Sequence, residues 1–404
     1  MDIELQTLTP IWTGGVQSKE TRTHATGIIG SLRWWYEAIL RGLGNKVCDP
    51  TKHVCPDKHG NHCPACDIYG TTGWSRRFRI SVTHGNTMDY TRRNLNILPQ
   101  GRTNGWFLPA GMVGPINLKM QHLHEHELCQ IAYLLPLRLM ENRGTIGAKT
   151  EHGYGAFKIT QPVNLNQTLT EAKIEKLLGN TDQQRKLPDL RDFFFIKIHF
   201  DTQGNWWDKV KDFAPPPKQN ATTWLSKFNE WVTHDCLPVS PVVRNAVRNH
   251  PTFNGLPWNV QNFFFGTKNS VCIYCFKQVK DYCKACNKSL KKSEKLDGVA
   301  SKLRISSAFP TNKAGDKWEF RIWGWIPQTL PEKMGSLGGK NSADFVTSLK
   351  KTVENFEWSD LLGDNTDNFD IKAKNYNSWL LENENKGIQE YLFELLKSEV
   401  TDGQ

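Results

Sequence analysis

Residues 147–157 read Gly-Ala-Lys-Thr-Glu-His-Gly-Tyr-Gly-Ala-Phe, and residues 27–38 read Gly-Ile-Ile-Gly-Ser-Leu-Arg-Trp-Trp-Tyr-Glu-Ala. Each sets glycine backbone beside a cation. Glycine lets N–H groups approach an anion closely, and a helix start adds free N–H groups of its own. The candidate phosphate contacts of the loop are Gly147, Lys149, His152, Gly153 and Gly155; those of the helix are Gly27, Gly30, Arg33 and Arg41. Arg33 and Arg41 are separated by about two helical turns and so share roughly one face. A pair between Arg33 and Glu37, at i and i+4, is the competing structural reading. Arg76, Arg77 and Arg79 flank a strand start and complete the basic set. Neither a P-loop nor a strand–GxGxxG–helix unit is present, so a polyanion fits better than a mononucleotide.

Cysteines offer a second chemistry. Cys272-x2-Cys275 and Cys283-x2-Cys286 form two knuckles that together fill a closed tetrahedral Zn²⁺ shell. A closed shell holds structure and leaves no position for substrate. Cys48, Cys55, Cys63 and Cys66 form a looser cluster, with His53, His59 and His62 interleaved. Here four thiols can close a site, or a histidine can replace Cys48 or Cys55. Two structural zinc ions are therefore expected. Cys129 and Cys236 stand alone and read as small buried apolar residues.

Catalytic residues are harder to find. His24 precedes the first helix and could act as a general base on a ribose 2′-OH, but no second acid or base accompanies it. Asp67 and Asp89 could bind Mg²⁺, yet no carboxylate cluster surrounds them. GxSxG and HExxH are absent.

These residues need elements to position them. Ile3–Leu8 alternates as a first strand, and a helix is expected over about 26–41. A Cys/His-rich insert occupies 44–66. Phe78–Val82 reads as a strand, Gln121–Met140 as a helix and Ala156–Ile159 as a closing strand. This order resembles a ferredoxin-like βαββαβ unit with inserts. Residues 161–190 read as a helical linker. Phe193–Phe200 opens a second unit, Ala221–His234 is helical, a zinc knuckle occupies 272–286, and Leu303–Phe309 pairs with Trp318–Ile326. The expected fold is α+β, with tandem ferredoxin-like (RRM-like) domains at 1–160 and 191–340 and an acidic helical region at 341–404.

Composition agrees with a nucleic-acid partner. The 404 residues carry Lys+Arg 51 against Asp+Glu 41, with 15 Trp, 20 Phe and 9 Tyr. Cations hold phosphates and aromatic faces stack on bases. Residues 341–404 run the other way, with 6 basic and 13 acidic side chains. The start carries no basic n-region with an apolar core, and no apolar run spans a membrane, so a cytoplasmic protein with reduced or metal-bound cysteines is expected.

Four segments carry a family resemblance: Thr9-Pro-Ile-Trp-Thr-Gly-Gly15, the Gly27 helix start, Cys63-Pro-Ala-Cys-Asp-Ile-Tyr-Gly-Thr-Thr-Gly-Trp-Ser-Arg-Arg-Phe-Arg-Ile80, and the 147–157 loop. Together they resemble the RAMP proteins of CRISPR systems, and among them subunit one of the type III-B Cmr effector complex. The resemblance spans about residues 3–160 and continues weakly through Phe264-Phe-Gly266, Ala300–Phe309 and Leu337-Gly-Gly-Lys340. It implies a role in antiviral defence: binding of crRNA near its 3′ end and of paired target RNA, at the head of a complex of other RAMP subunits, without catalysis. Backbone subunits of that family carry the slicing aspartate. Glu151 and His152 depart from the basic residues common in the family's loop. Two enzymatic readings compete, a metal-independent crRNA-processing endoribonuclease using His24 and a backbone-type subunit cleaving target RNA.

Overall fold

The computed structural model describes residues 1–14, 22–49, 55–83, 86–88, 94–160, 171–179, 186–375, 388–389 and 391–392. His53, Asp89, and large parts of the expected linker and C-terminal region lie outside the described residues.

The first unit contains β1 (Asp2–Thr7), α1 (Ala25–Gly42), α2 (Pro64–Tyr69), β2 (Phe78–Thr83), β3 (Pro115–His122), α3 (Cys129–Asn142) and β4 (Phe157–Ile159). Its antiparallel sheet runs β2-β3-β1-β4. Leu5 on β1 stands between Ile116 and Ile159, so one apolar row crosses three strands. That row is buried beneath α1 and α3, whose Leu32, Tyr36, Ile39, Ile131, Leu135 and Leu139 are shut away from solvent.

One boundary differs from the sequence reading. The second helix starts at Cys129, because Gln121 and His122 still pair with Arg79 and Phe78 as the end of β3. The alternation Ile116, Leu118, Met120 sets that strand, and all three are buried.

The second unit contains β5 (Phe193–Thr202), α4 (Ala221–Thr233), α5 (Ser240–Asn249), α6 (Trp258–Phe265), β6 (Leu303–Ile305), β7 (Lys317–Trp325), α7 (Ser342–Glu354) and β8 (Thr366–Asn375). Its main sheet runs β6-β7-β5-β8. Strand order and helix placement thus repeat those of the first sheet. β5 and β7 pair without interruption from Asp201↔Lys317 to Phe193↔Trp325. The stretch after 341, expected as acidic helix, does form α7 but then also supplies β8: Ile371 pairs Ile198 and Lys372 pairs Lys197. Its period-two pattern is short and broken by a bulge between Asp367 and Asp370, which hides it from a composition-based reading.

The two units share core. Trp34 and Trp35 of α1 reach into the second sheet, with ring centroids 5.7 Å (Trp34) and 5.2 Å (Trp35) from Phe193. Trp35 also lies 5.0 Å from Trp323. In return, Trp224 Nε1 of α4 donates to the Asn96 carbonyl at 2.7 Å. Among the described residues no helix is long and apolar enough to cross a membrane.

A candidate nucleic-acid cleft and two metal centres

A cleft of about 310 Å³ opens where α1 begins, lined by Gly27, Gly30 and Ser31, by Gly147, Ala148 and Thr150, and by Arg304 with Trp34 and Trp323. Helix α1 has no side-chain cap at His24 and no acid in its first turn. Within the cap and first turn, no acid neutralises the positive end of its dipole, which faces the cleft. Gly30 is exposed, and a Cβ there would meet nothing within 4 Å. A ligand can come up to bare backbone at that point.

The glycine loop is locked onto α1 and onto the strand end before it. Gly147 N–H donates to Ser31 Oγ at 2.9 Å, and Ser31 Oγ–H donates back to the Gly27 carbonyl at 3.1 Å. Ala148 N–H donates to the Trp12 carbonyl at 2.7 Å. Gly155 adopts φ +93°, and a Cβ would sit 2.0 Å from the Ile146 carbonyl oxygen. Lys149 also takes a left-handed backbone, φ 55°, and its ammonium lies 4.8 Å from the Trp12 ring centre.

The second unit closes the far wall. Ser307 N–H donates to the Gly153 carbonyl at 2.9 Å, and Ser240 Oγ–H to the Glu151 carbonyl at 3.1 Å. Arg304 Nε–H donates to Thr150 Oγ1 at 3.0 Å, and its guanidinium lies 4.9 Å from the Trp323 ring. Arg304 Nη1 is buried and has no hydrogen-bond partner among the described residues. Burial works against the Glu151 carboxylate, but His152, 3.2 Å away, and Arg304 outweigh it and hold the carboxyl down at about 2. Burial also lowers the Arg304 pKa, which Glu151 partly offsets.

Of the residues expected from sequence, Gly27, Gly30 and Gly147 line the cleft, and Lys149 and His152 flank it in the same loop. Gly153 and Gly155 are packed against neighbours and shape the loop. Arg33 and Arg41 are engaged elsewhere. Both grip Glu37, at 2.8 and 3.2 Å, so the i,i+4 pairing prevails for Arg33. Arg33 also donates to the Gly70 carbonyl at 2.9 Å and to Cys66 Sγ at 3.1 Å. Arg41 donates to the Pro188 carbonyl at 3.0 Å. Arg77 is bound to Asp67 at 2.6 Å, which with His126 at 3.2 Å also occupies the carboxylate considered for Mg²⁺. Arg79 is exposed and Arg76 half-buried. Sequence reasoning missed Arg304, Ser31 and Thr150. Arg304 alternates with buried Leu303 and Ile305, which marks it as facing away from its own core.

Both cysteine clusters assemble. The sulfurs of Cys48, Cys55, Cys63 and Cys66 all lie within 4.8 Å of one another, as do those of Cys272, Cys275, Cys283 and Cys286. Cys48 and Cys66 are 3.5 Å apart, Cys272 and Cys286 3.7 Å, and Cys275 and Cys283 3.6 Å. A tetrahedron with Zn–S bonds of about 2.3 Å has edges of about 3.8 Å, so both shells can hold a metal ion of that size. Histidine is not needed in the first shell: His62 stacks on Trp74 at 4.6 Å, and His59 sits on an exposed turn. The hydrogen bond with Cys66, then those with Cys48 and the Cys66 N–H, draw the Cys63 thiol down to about 4 against its burial. The contact with Cys63, then burial, pushes the Cys66 thiol the other way, and a metal in the shell would displace the remaining thiol protons.

Residues 4–158 match the family model described as the RAMP superfamily. This stretch is similar to the RAMP superfamily. The match covers the region that carries α1, the glycine loop and the first cysteine cluster. No curated protein matches the chain. Among solved structures it is similar to Cmr1 from Pyrococcus furiosus, at 15% identity and TM-score 0.36, covering 81% of this chain and 88% of that one. It is also similar to a chain of the type III-B Cmr-beta complex bound to cognate target RNA, at 11% identity and TM-score 0.39, covering 82% of this chain and 98% of that one. A chain of the same complex with target RNA and AMPPnP gives 12% and 0.36, covering 86% and 99%.

Proposed function

We propose that this protein is a non-catalytic RNA-binding subunit of a type III CRISPR effector complex, placed at its head, where it holds crRNA near the 3′ end together with paired target RNA. The observation that carries the reading is the convergence of an uncapped helix start, a glycine loop and the unpartnered Arg304 Nη1 in one cleft of a chain similar to the RAMP superfamily over residues 4–158. These groups suit phosphate, and none of them reads a base edge. In this reading both units are ferredoxin-like folds used in tandem, and each cysteine shell holds a structural zinc ion. Among the described residues, Glu151 is ionised and held by His152, and Asp67 is bound to Arg77, which supports the non-catalytic reading.

The test is binding of single-stranded RNA by the full chain. Affinity should fall steeply with salt, since released counterions drive it. Arg304→Ala should weaken unrelated sequences alike, while the purified protein cuts neither repeat RNA nor guide-complementary RNA, with or without EDTA. Cleavage abolished by His24→Ala would overturn the reading in favour of a processing nuclease.

A further inference from the structure

The second cysteine shell sits in a segment that the cleft does not use. Residues 267–299 leave the second unit after α6 as a strand pair, Thr267–Cys272 against Lys295–Val299, and carry a small hairpin, Tyr282–Cys283 against Lys288–Ser289, at the far end. The segment has its own small core of the four thiols with Val279 and Leu290. It is anchored to the body by Phe276, edge-on to Phe263 at 5.1 Å, and by the Tyr274 carbonyl, which accepts from Lys333 N–H at 3.0 Å.

Its charge is lopsided. It holds eight lysines, no arginine and three acids. The acids are all engaged within the segment: Glu294 by Lys288 and Tyr274, Asp281 by Lys295, and Asp297 by Ser270. Lys268, Lys277, Lys280, Lys284, Lys291 and Lys292 are exposed and have no ion-pair partner among the described residues. Even with the negative charge of a zinc tetrathiolate, the segment stays positive. On either side of buried Cys283, Lys280, Tyr282 and Lys284 face solvent. The Tyr282 ring is 48% exposed, and its hydroxyl is tied to Asn287 Oδ1 at 2.5 Å, so the ring is held out rather than folded down. An exposed ring flanked along the chain by exposed lysines is the composition of a single-strand stacking platform.

We infer that this knuckle is a second nucleic-acid contact, which takes single-stranded RNA by its phosphates and stacks one base on Tyr282. The inference rests on RNA being the ligand of the cleft, and extends the bound strand to a separate surface. Sequence discrimination is not expected, because lysine ammonium groups meet phosphates as point charges and a ring stacks on any base.

The experiment uses the full chain, a short and a long oligouridylate, and affinity measured across salt. Lys280→Gln, Lys284→Gln and Lys292→Gln combined should lower the salt slope on the long strand by about two, at about 0.7 per phosphate contact, and change the short strand little. Tyr282→Ala should weaken the long strand about tenfold. The matching Lys→Arg triple should retain wild-type binding, and unchanged metal content should show that each variant is folded. Arg304→Ala serves as the cleft control. Knuckle variants with wild-type slope and affinity, beside a weakened Arg304→Ala, would sink the inference and leave the cleft standing. Loss in the knuckle variants alone would support the knuckle and remove the cleft. Unchanged RNA binding with loss of a neighbouring subunit from the assembled complex would overturn the inference and assign the knuckle to an acidic protein face.

Discussion

Two glycines of the cleft are there for opposite reasons, and substitution separates them. At Gly155 the backbone is left-handed and a Cβ would strike the Ile146 carbonyl. Gly155→Ala should therefore lower stability by several kcal/mol, the left-handed penalty of about 1–2 kcal/mol plus the clash. At Gly30 the backbone is helical and the space beyond is open. Gly30→Ala should raise stability by about 0.5–1 kcal/mol while weakening RNA binding, because the methyl group occupies the approach to the backbone. Thermal melts and RNA titrations of the two variants check both signs; a Gly30→Ala protein that binds RNA as wild type would remove Gly30 from the interface. Lys302 gives a prediction in pH. Burial, with Arg304 adding to it, pushes its ammonium down to about 7, and its Nζ lies 3.9 Å from the Trp325 ring centre. The unfolded chain keeps that proton to about pH 10.4, so it binds more protons than the folded chain above pH 7 and stability rises with pH across this window. Lys302→Met should raise the melting temperature at pH 7, and its advantage should shrink as pH climbs towards 10.4.

At the scale of elements, the first metal shell and α1 form one unit. Cys66 accepts from Arg33, and Arg33 and Arg41 both hold Glu37, so a metal in the shell fixes the helix that lines the cleft. Native protein should contain about two zinc ions per chain. Chelation, or Cys66→Ser, should lower the melting temperature and weaken RNA binding together, whereas Cys286→Ser should leave the cleft's share of binding intact. Elemental analysis with parallel melts decides it, and zero zinc in folded native protein would refute both shells. Helix α1, the strand at 193 and both cysteine clusters were legible in the sequence, because each rests on local spacing: helical periodicity, strict alternation, or ligands a few residues apart. The partners of the arginines were not. Arg33 and Arg41 look free in sequence, and only Glu37 between them hinted otherwise. Arg304 alternates with apolar Leu303 and Ile305, which shows only that it faces out; its partner Thr150, 154 positions away, has no local signature. Strand β8 was missed because its apolar face is short and its neighbourhood is acidic.

For the whole molecule, the acidic end divides in two. Helix α7 buries Phe345, Leu349 and Val353 in the second core, and β8 completes the sheet against β5. Truncation before residue 341 should unfold the second unit, while truncation after Asn375 should leave its sheet intact; circular dichroism and melting of the two forms distinguish them. A stable, folded 1–340 fragment would refute this integral role.

The indoles of α1 set how a ligand can enter. Trp34 and Trp35 stand in contact with Phe193 and Trp323 of the opposite sheet. Spreading the cleft walls would strip that aromatic contact from its partners and expose it to water, which opposes opening. The opening therefore has a fixed calibre. On the proposed reading, an RNA strand is laid in from the open side without a closing movement. Association should then proceed as one kinetic phase that scales with concentration, with no slower isomerisation behind it.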